Sequence, residues 1–239
     1  MNKDYLERAA AFCLGAIAAL AFCWALMLGQ PHEGSSASDG GDERSASPAM
    51  EVSDHIMPLG RPIPAGTYMP LYLQEDAQWS YVPYAGGTIA DSGCGLACAA
   101  MAVKYLTTQD VTPLTVAEAV GGACLTDGVN DPEKFAQWMQ ASYGDYAIEA
   151  TPKFYVTGDA LGKVDDGWIC FAGLTGRFGD SEYGGHVVLI WLADDSGYWV
   201  RDPASAENSA RAFTAEELNA VDFRYFVGVK GGHYGNAGN

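Results

Sequence analysis

The sequence predicts an α+β domain, N-terminal helices packed on an antiparallel sheet, preceded by one transmembrane helix. Three observations predict it. Residues 9–28 carry no charge and are almost entirely apolar or small, and about twenty such residues span a bilayer core. Helix signals crowd between Cys94 and Gly144, and strand-like runs fill Lys153 to Val229. Helices segregated from strands in this way belong to an α+β chain with an antiparallel sheet.

At 239 residues the chain has room for one domain of ordinary size besides its tails. Its 13 basic and 30 acidic residues leave a net charge of −17. Nucleic-acid binding needs clustered Lys and Arg, so no nucleic acid is expected as a partner. An acidic surface serves solubility first and attracts cationic substrates only weakly.

Lys3 and Arg8 precede the apolar run, diluted by Asp4 and Glu7, and Glu33, Asp39, Asp42 and Glu43 follow it. The positive-inside bias puts the N-terminus in the cytoplasm and everything after Gly29 outside. No small-x-small cleavage site abuts the run, the nearest being Ser35-Ser-Ala37. That favours an uncleaved signal anchor in the cell membrane over a cleaved signal and secretion. The expected organisation is a cytoplasmic stub and transmembrane anchor over 1–29 and a disordered extracytoplasmic linker over 30–58. A folded domain over 59–230 and a flexible tail over 231–239 complete it. The linker is rich in Ser, Gly, Asp and Glu without periodicity.

Within the domain, Pro58, Pro62, Pro64 and Pro70 make an extended lead-in, and Met69–Gln74 reads as a short strand. A helix of small and apolar residues opens at Gly93-Cys94-Gly95 and reaches Leu106. Thr112 as cap and Pro113 at the first helical position predict a short helix to Val120. Asp131, Pro132 and Glu133 predict a longer one that ends near Gly144 and buries Phe135, Trp138 and Met139. Strands are expected at Lys153–Val156, Trp168–Leu174, His186–Leu192, Tyr198–Arg201 and Phe223–Val229. Gly176 to Gly185 reads as a polar loop and Asp194–Gly197 as a hairpin turn. Thr214-Ala-Glu-Glu217 is a capping box.

The candidate chemistry gathers around Cys94. At a helix N-terminus the aligned peptide dipoles favour negative charge, which populates the nucleophilic thiolate. Gly93 and Gly95 keep the backbone slim, so a substrate carbonyl can approach the sulfur. Of the four histidines, His32 and His55 fall in the linker and His233 in the tail, which leaves His186 as the base. Asp202 ends the return strand of the same hairpin and would orient the imidazole. A plain two-residue turn leaves Asp202 short of His186, so a twist, a bulge or a long-reaching side chain has to bring them together. Gln74 is a candidate oxyanion donor, or it bonds the loop that follows it. Cys94, Cys98 and His186 also make a zinc set on paper, but no second Cys pair exists and no metal or cofactor is expected. Cys98 reads as core. Cys124 and Cys170 either pair as a disulfide or stay free.

The segments Leu73-Gln74-Glu-Asp76-x-x-Trp79, Ile89-x-x-x-Gly93-Cys94-Gly95, Gly185-His186-Val-Val and Val200-Arg-Asp202-Pro203 occur in that order. Together they resemble the papain-like cysteine peptidases of the peptidase C39-like group, relatives of the double-glycine leader peptidases that process bacteriocins. The resemblance runs from Pro70 to Val229. It implies Cys94 as nucleophile, His186 as general base and acid, Asp202 as orienter and Gln74 as oxyanion donor. Leu96-Ala97 stands where the group commonly has Pro-Thr or Pro-Ser. The expected function is therefore that of a membrane-anchored, extracytoplasmic cysteine peptidase acting on a peptide or protein substrate. Two alternatives stand beside it. One is a cell-wall peptidoglycan amide hydrolase or transpeptidase with the same triad, and the other an inactive surface binding module.

Overall fold

The computed structural model describes residues 68–231. The expected stub and anchor, the linker, the start of the expected domain and residues 232–239 of the tail lie outside the described residues. Among the described residues no helix is long and apolar enough to cross a membrane.

The lead-in carries the first departure from expectation. Residues 69–73 join no ladder and Gln74 begins a turn. The segment's backbone groups are satisfied elsewhere: Arg201 Nε donates to the Met69 carbonyl, Tyr72 N–H to Met101 Sδ and Gln74 N–H to the Pro203 carbonyl. A strand-like sequence thus becomes a strap across the domain, because two side chains and one loop carbonyl rather than a neighbouring strand meet its polar groups.

The helical half follows. A minimal hairpin, β1 (Pro83–Tyr84) and β2 (Gly87–Thr88), leads into the short α1 (Ile89–Ser92) and then α2 (Cys94–Thr107). Nearly every residue of α2 is buried, which explains its run of Gly, Ala and Cys: small side chains let surrounding elements close on it from all sides. Next come α3 (Pro113–Val120), β3 (Leu125–Thr126), β4 (Val129–Asn130) and α4 (Pro132–Ser142). Thr112 caps α3 and Asp131 caps α4, each with proline at the first helical position, as their sequences predict. Phe135 and Met139 are fully buried, and Trp138 is partly buried against Tyr143.

A six-stranded antiparallel sheet makes the other half. Its strands are β5 (Glu149–Ala150), β6 (Ile169–Phe178), β7 (Ser181–Asp194), β8 (Gly197–Arg201), β9 (Ala212–Phe213) and β10 (Asp222–Lys230), in the order β5-β10-β6-β7-β8-β9. Three short helices accompany them: α5 (Thr157–Asp165), α6 (Ala206–Ser209) and α7 (Ala215–Asn219). Both faces of the sheet are covered. Val187, Leu189 and Trp191 join the cluster around α2, and Val188 and Ile190 join the one containing Leu161 and Val164 of α5. Two-sided burial is why residues 187–192 of β7 read as an unbroken apolar run rather than an alternating one.

Two further expectations are corrected. Lys153–Val156 contributes only an isolated bridge, Phe154 to Phe226, and the chain turns at once into α5. That helix starts without a side-chain cap and contains Gly158 and Gly162, so its local signal is weak. The expected loop at Gly176–Gly185 is instead the tip of the β6–β7 hairpin, with Phe178 opposite Ser181. Gly179 sits at φ +57°, and a Cβ there would collide with the Asn208 amide.

Candidate active site

Cys94 is the first residue of α2, and no side chain caps the helix ahead of it. Its N-terminal peptide groups therefore face the sulfur's surroundings rather than an internal ligand. The residue is 8 % exposed and lies in a cleft of about 290 Å³ that also takes in His186, Asn130, Gly173, Gly185 and Tyr225. The cleft opens where the head of α2 meets the middle of β6 and β7.

His186 pairs with Leu174 across β6 and β7. Its Nε2 lies 2.7 Å from Asp202 Oδ1, and the ring lines the same cleft as Cys94. A carboxylate only accepts, so Nε2 carries the proton toward Asp202 and Nδ1 is the nitrogen left for the thiol. Burial pushes the imidazole down, but the Asp202 carboxylate and the Cys94 sulfur outweigh it and raise it to about 9.

The gap between His186 and Asp202 is closed by a bulge. The ladder of β7 and β8 pairs Leu192 with Trp199 and then Ile190 with Val200, leaving Trp191 unpaired. A regular ladder from the turn would carry Asp202 opposite Leu189, out of phase with His186. With one residue looped out, the ladder continued past Leu189–Arg201 brings Asp202 opposite Val188, on the same side of the ribbon as His186. One extra residue thus decides whether the two side chains meet.

Asp202 is fully buried. Besides His186, its carboxylate accepts from the Ala204 N–H at 2.9 Å, from the Tyr183 hydroxyl at 2.9 Å and from Asn208 Nδ2 at 2.9 Å. Burial favours the neutral acid, yet His186, Asn208 and the Ala204 N–H together hold it below the ordinary carboxylate range. The Tyr183 ring also stacks on the His186 ring, 4.2 Å between centroids and 13° from parallel. Tyr183 therefore grips both members of the pair, covering one and hydrogen-bonding the other. Sequence reasoning missed it because it lies in the segment expected as a loop.

Gln74 stands apart from the other three. Its backbone N–H donates to the Pro203 carbonyl, and its Nε2 donates to the Ala90 carbonyl at 2.5 Å, within α1 just before Cys94. Its Oε1 is buried without a partner. The strap therefore delivers Gln74 to the turn that positions the cysteine, with no direct hydrogen bond to it. The strap itself is fastened by Arg201, which is 2 % exposed and packs against the rings of both Tyr68 and Trp191 at 4.7 and 5.0 Å.

Asn130 is the second residue that sequence reasoning missed. Its Nδ2 donates to the Ser92 carbonyl at 2.7 Å and lies 3.5 Å from Cys94 Sγ, while its Oδ1 accepts from the Tyr84 hydroxyl at 2.9 Å. It arrives on the β3–β4 hairpin, whose Asp127-Gly128 turn has φ +52° and +78°. That Asp-Gly pair was the available signal. Asn130 also corrects the expectation for Gly95. A Cβ there would come within 2.7 Å of the Asn130 amide, so the missing side chain makes room for Asn130 and not for a substrate.

The other three thiols among the described residues are buried and unbridged. Cys98 donates to the Val187 carbonyl at 3.3 Å, and burial raises it well above an ordinary thiol. Cys124 and Cys170 are both free and belong to separate apolar clusters, so no bridge joins them. Among the described residues no group of metal-binding side chains comes together.

Comparison with known proteins gives one family and a set of distant structures. The Peptidase_C39 like family matches residues 67–229. A Bacillus anthracis protein assigned as a C39-like peptidase is 11 % identical with a TM-score of 0.41, covering 69 % of this chain and 95 % of its own. A G161 variant of the Salmonella effector SpvD is 12 % identical with a TM-score of 0.32, covering 62 % and 70 % respectively. No curated protein matches the chain.

Proposed function

The chain belongs to the Peptidase_C39 like family, and on that footing we propose that it is a cysteine peptidase that cuts peptide bonds with Cys94, His186, Asp202 and Gln74. One observation carries the reading. A cysteine at the head of a buried helix shares one cleft with an imidazole whose Nε2 is held 2.7 Å from a fully buried carboxylate. Such a chain moves a proton off sulfur and keeps the resulting imidazolium stable.

In the proposed sequence Cys94 passes its proton to His186 Nδ1, and the thiolate attacks the substrate carbonyl carbon. The C–N bond breaks as Nδ1 returns that proton to the leaving amine. Nδ1 then takes a proton from water, whose oxygen attacks the thioester, and gives it back to the departing sulfur. Asp202 keeps Nε2 protonated throughout. Gln74 retains a second amide N–H beyond the one given to Ala90, and that donor is the one available to an oxyanion. We further propose that the uncharged run of residues 9–28 anchors the enzyme with its domain outside the cell membrane.

The test is a mass-spectrometric search for cleavage of a diverse peptide library by the full chain and by Cys94→Ala. Cleavage by the native chain alone is the expected result, with the variant losing at least about 10³-fold. Equal cleavage by both, or none by either, would end the peptidase reading.

A further inference from the structure

We propose that Asn130 is a catalytic residue: its amide N–H stabilises the Cys94 thiolate, and Tyr84 fixes the amide in the orientation this requires. The inference rests on the cysteine-peptidase reading above and adds to it a group that the sequence motifs do not contain.

The Ser92 carbonyl decides the orientation of the amide, and the Tyr84 hydroxyl then donates to the oxygen. The Tyr84 hydroxyl donates to Oδ1 at 2.9 Å, and the Ser92 carbonyl, which can only accept, sits 2.7 Å from Nδ2. A flipped amide would set oxygen against carbonyl oxygen. Nδ2 has two hydrogens, one used by Ser92, and the other lies toward Cys94 Sγ at 3.5 Å. The site is buried, where a hydrogen bond to an ionised acceptor is stronger than one to a neutral partner. Gly95 completes the arrangement, since any side chain there would occupy the position of the amide.

The chemistry has a particular signature. When the proton sits on His186, sulfur carries the negative charge and the Asn130 N–H is worth most. When the thiol is protonated or acylated, the same N–H is worth little. Asn130 therefore raises the fraction of thiolate at acid and neutral pH and leaves the intrinsic reactivity of that thiolate unimproved. A merely structural asparagine would affect the rate at every pH alike.

Iodoacetamide alkylation of the full chain in detergent, read at Cys94 by peptide mapping from about pH 6 to about pH 10, separates these cases. The variants are Asn130→Leu, of similar size but with no N–H to give, Asn130→Ala and Tyr84→Phe. Circular dichroism reports whether each is folded, and a small free thiol sets the baseline near an ordinary cysteine of about 8.5. The expected result is that both Asn130 variants label Cys94 about tenfold more slowly near pH 6 and converge with the native chain at high pH, the scale of one charge-assisted hydrogen bond. Tyr84→Phe should fall between. Superimposable profiles would overturn the inference, as would slowing by one factor at all pH values. If the native Cys94 itself labels like the free thiol and ignores His186→Ala, the peptidase reading fails and takes this inference with it. If His186→Ala slows Cys94 but neither Asn130 variant does, only the inference falls.

Discussion

Asp202 is fully buried, yet it carries a negative charge opposite His186. What permits this is the number of donors aimed at it: an imidazole, a phenol, a side-chain amide and a backbone N–H. An ionised carboxylate buried with fewer partners would take up a proton instead. Tyr183 is the informative member because its two contacts can be separated. Tyr183→Phe keeps the ring on His186 and removes only the bond to Asp202, whereas Tyr183→Leu removes both. Against any peptide the native chain cleaves, Tyr183→Phe should lower kcat about three- to tenfold with KM nearly unchanged, and Tyr183→Leu should lower it further. A rise in KM alone, with kcat intact, would instead assign Tyr183 to substrate binding.

At the scale of elements, the site is assembled by three local devices of different visibility. The head of α2 is set by small residues and by the hydrogen bonds of its first turn. The β7–β8 bulge sets the phase of Asp202, and the β3–β4 hairpin lays Asn130 over Gly95. Gly95 shows how tightly hairpin and helix fit. Gly95→Ala would press a methyl group against a buried amide already bonded on both sides, and should destabilise the fold by about 1–3 kcal/mol. Gly184→Ala, on β7 with open space around its Cβ position, should stay within about 0.5 kcal/mol. Urea denaturation midpoints compare the two directly. Equal stability would mean that the hairpin gives way and does not hold Asn130 in place.

For the whole molecule, the buried pair ties stability to pH in both directions. His186 is raised from 6.5 to about 9 on folding, so its contribution is complete below 6.5 and is lost as pH rises through about 9. Asp202 is lowered from 3.8, so its contribution is present above 3.8 and disappears as pH falls through its depressed folded value. Stability should therefore be highest between these limits and decline toward alkaline pH above about 6.5. Asp202→Asn should flatten that alkaline decline, because the carboxylate is the leading group that raises the imidazole. Urea midpoints measured from pH 5 to pH 9 check this. An alkaline slope unchanged by the substitution would show that His186 does not titrate as part of the pair.

The helix starts were legible because their causes are local. Thr112-Pro113, Asp131-Pro132 and Thr214 to Glu217 satisfy the first turn's own N–H groups, and no distant residue is needed to read them. Cys94, His186 and Asp202 were legible because each stands in a short contiguous motif, and among four histidines only one lies in the predicted core. Other features depended on partners far along the chain. Met69–Gln74 looks like a strand, but Arg201, 132 residues from Met69, engages its backbone. Thr157–Asp165 has a weak helical signal and is held by the sheet face it covers. Above all, the meeting of His186 with Asp202 turns on a single unpaired residue, Trp191. Side chains in a strand alternate with period two, so a one-residue shift reverses every face, and a sequence buried on both faces holds no alternation from which that shift could be read. Residue types and their order along the chain name the groups able to perform the chemistry. The packing of sheet, helix and hairpin decided that they face one another, and brought Tyr183 and Asn130 to join them.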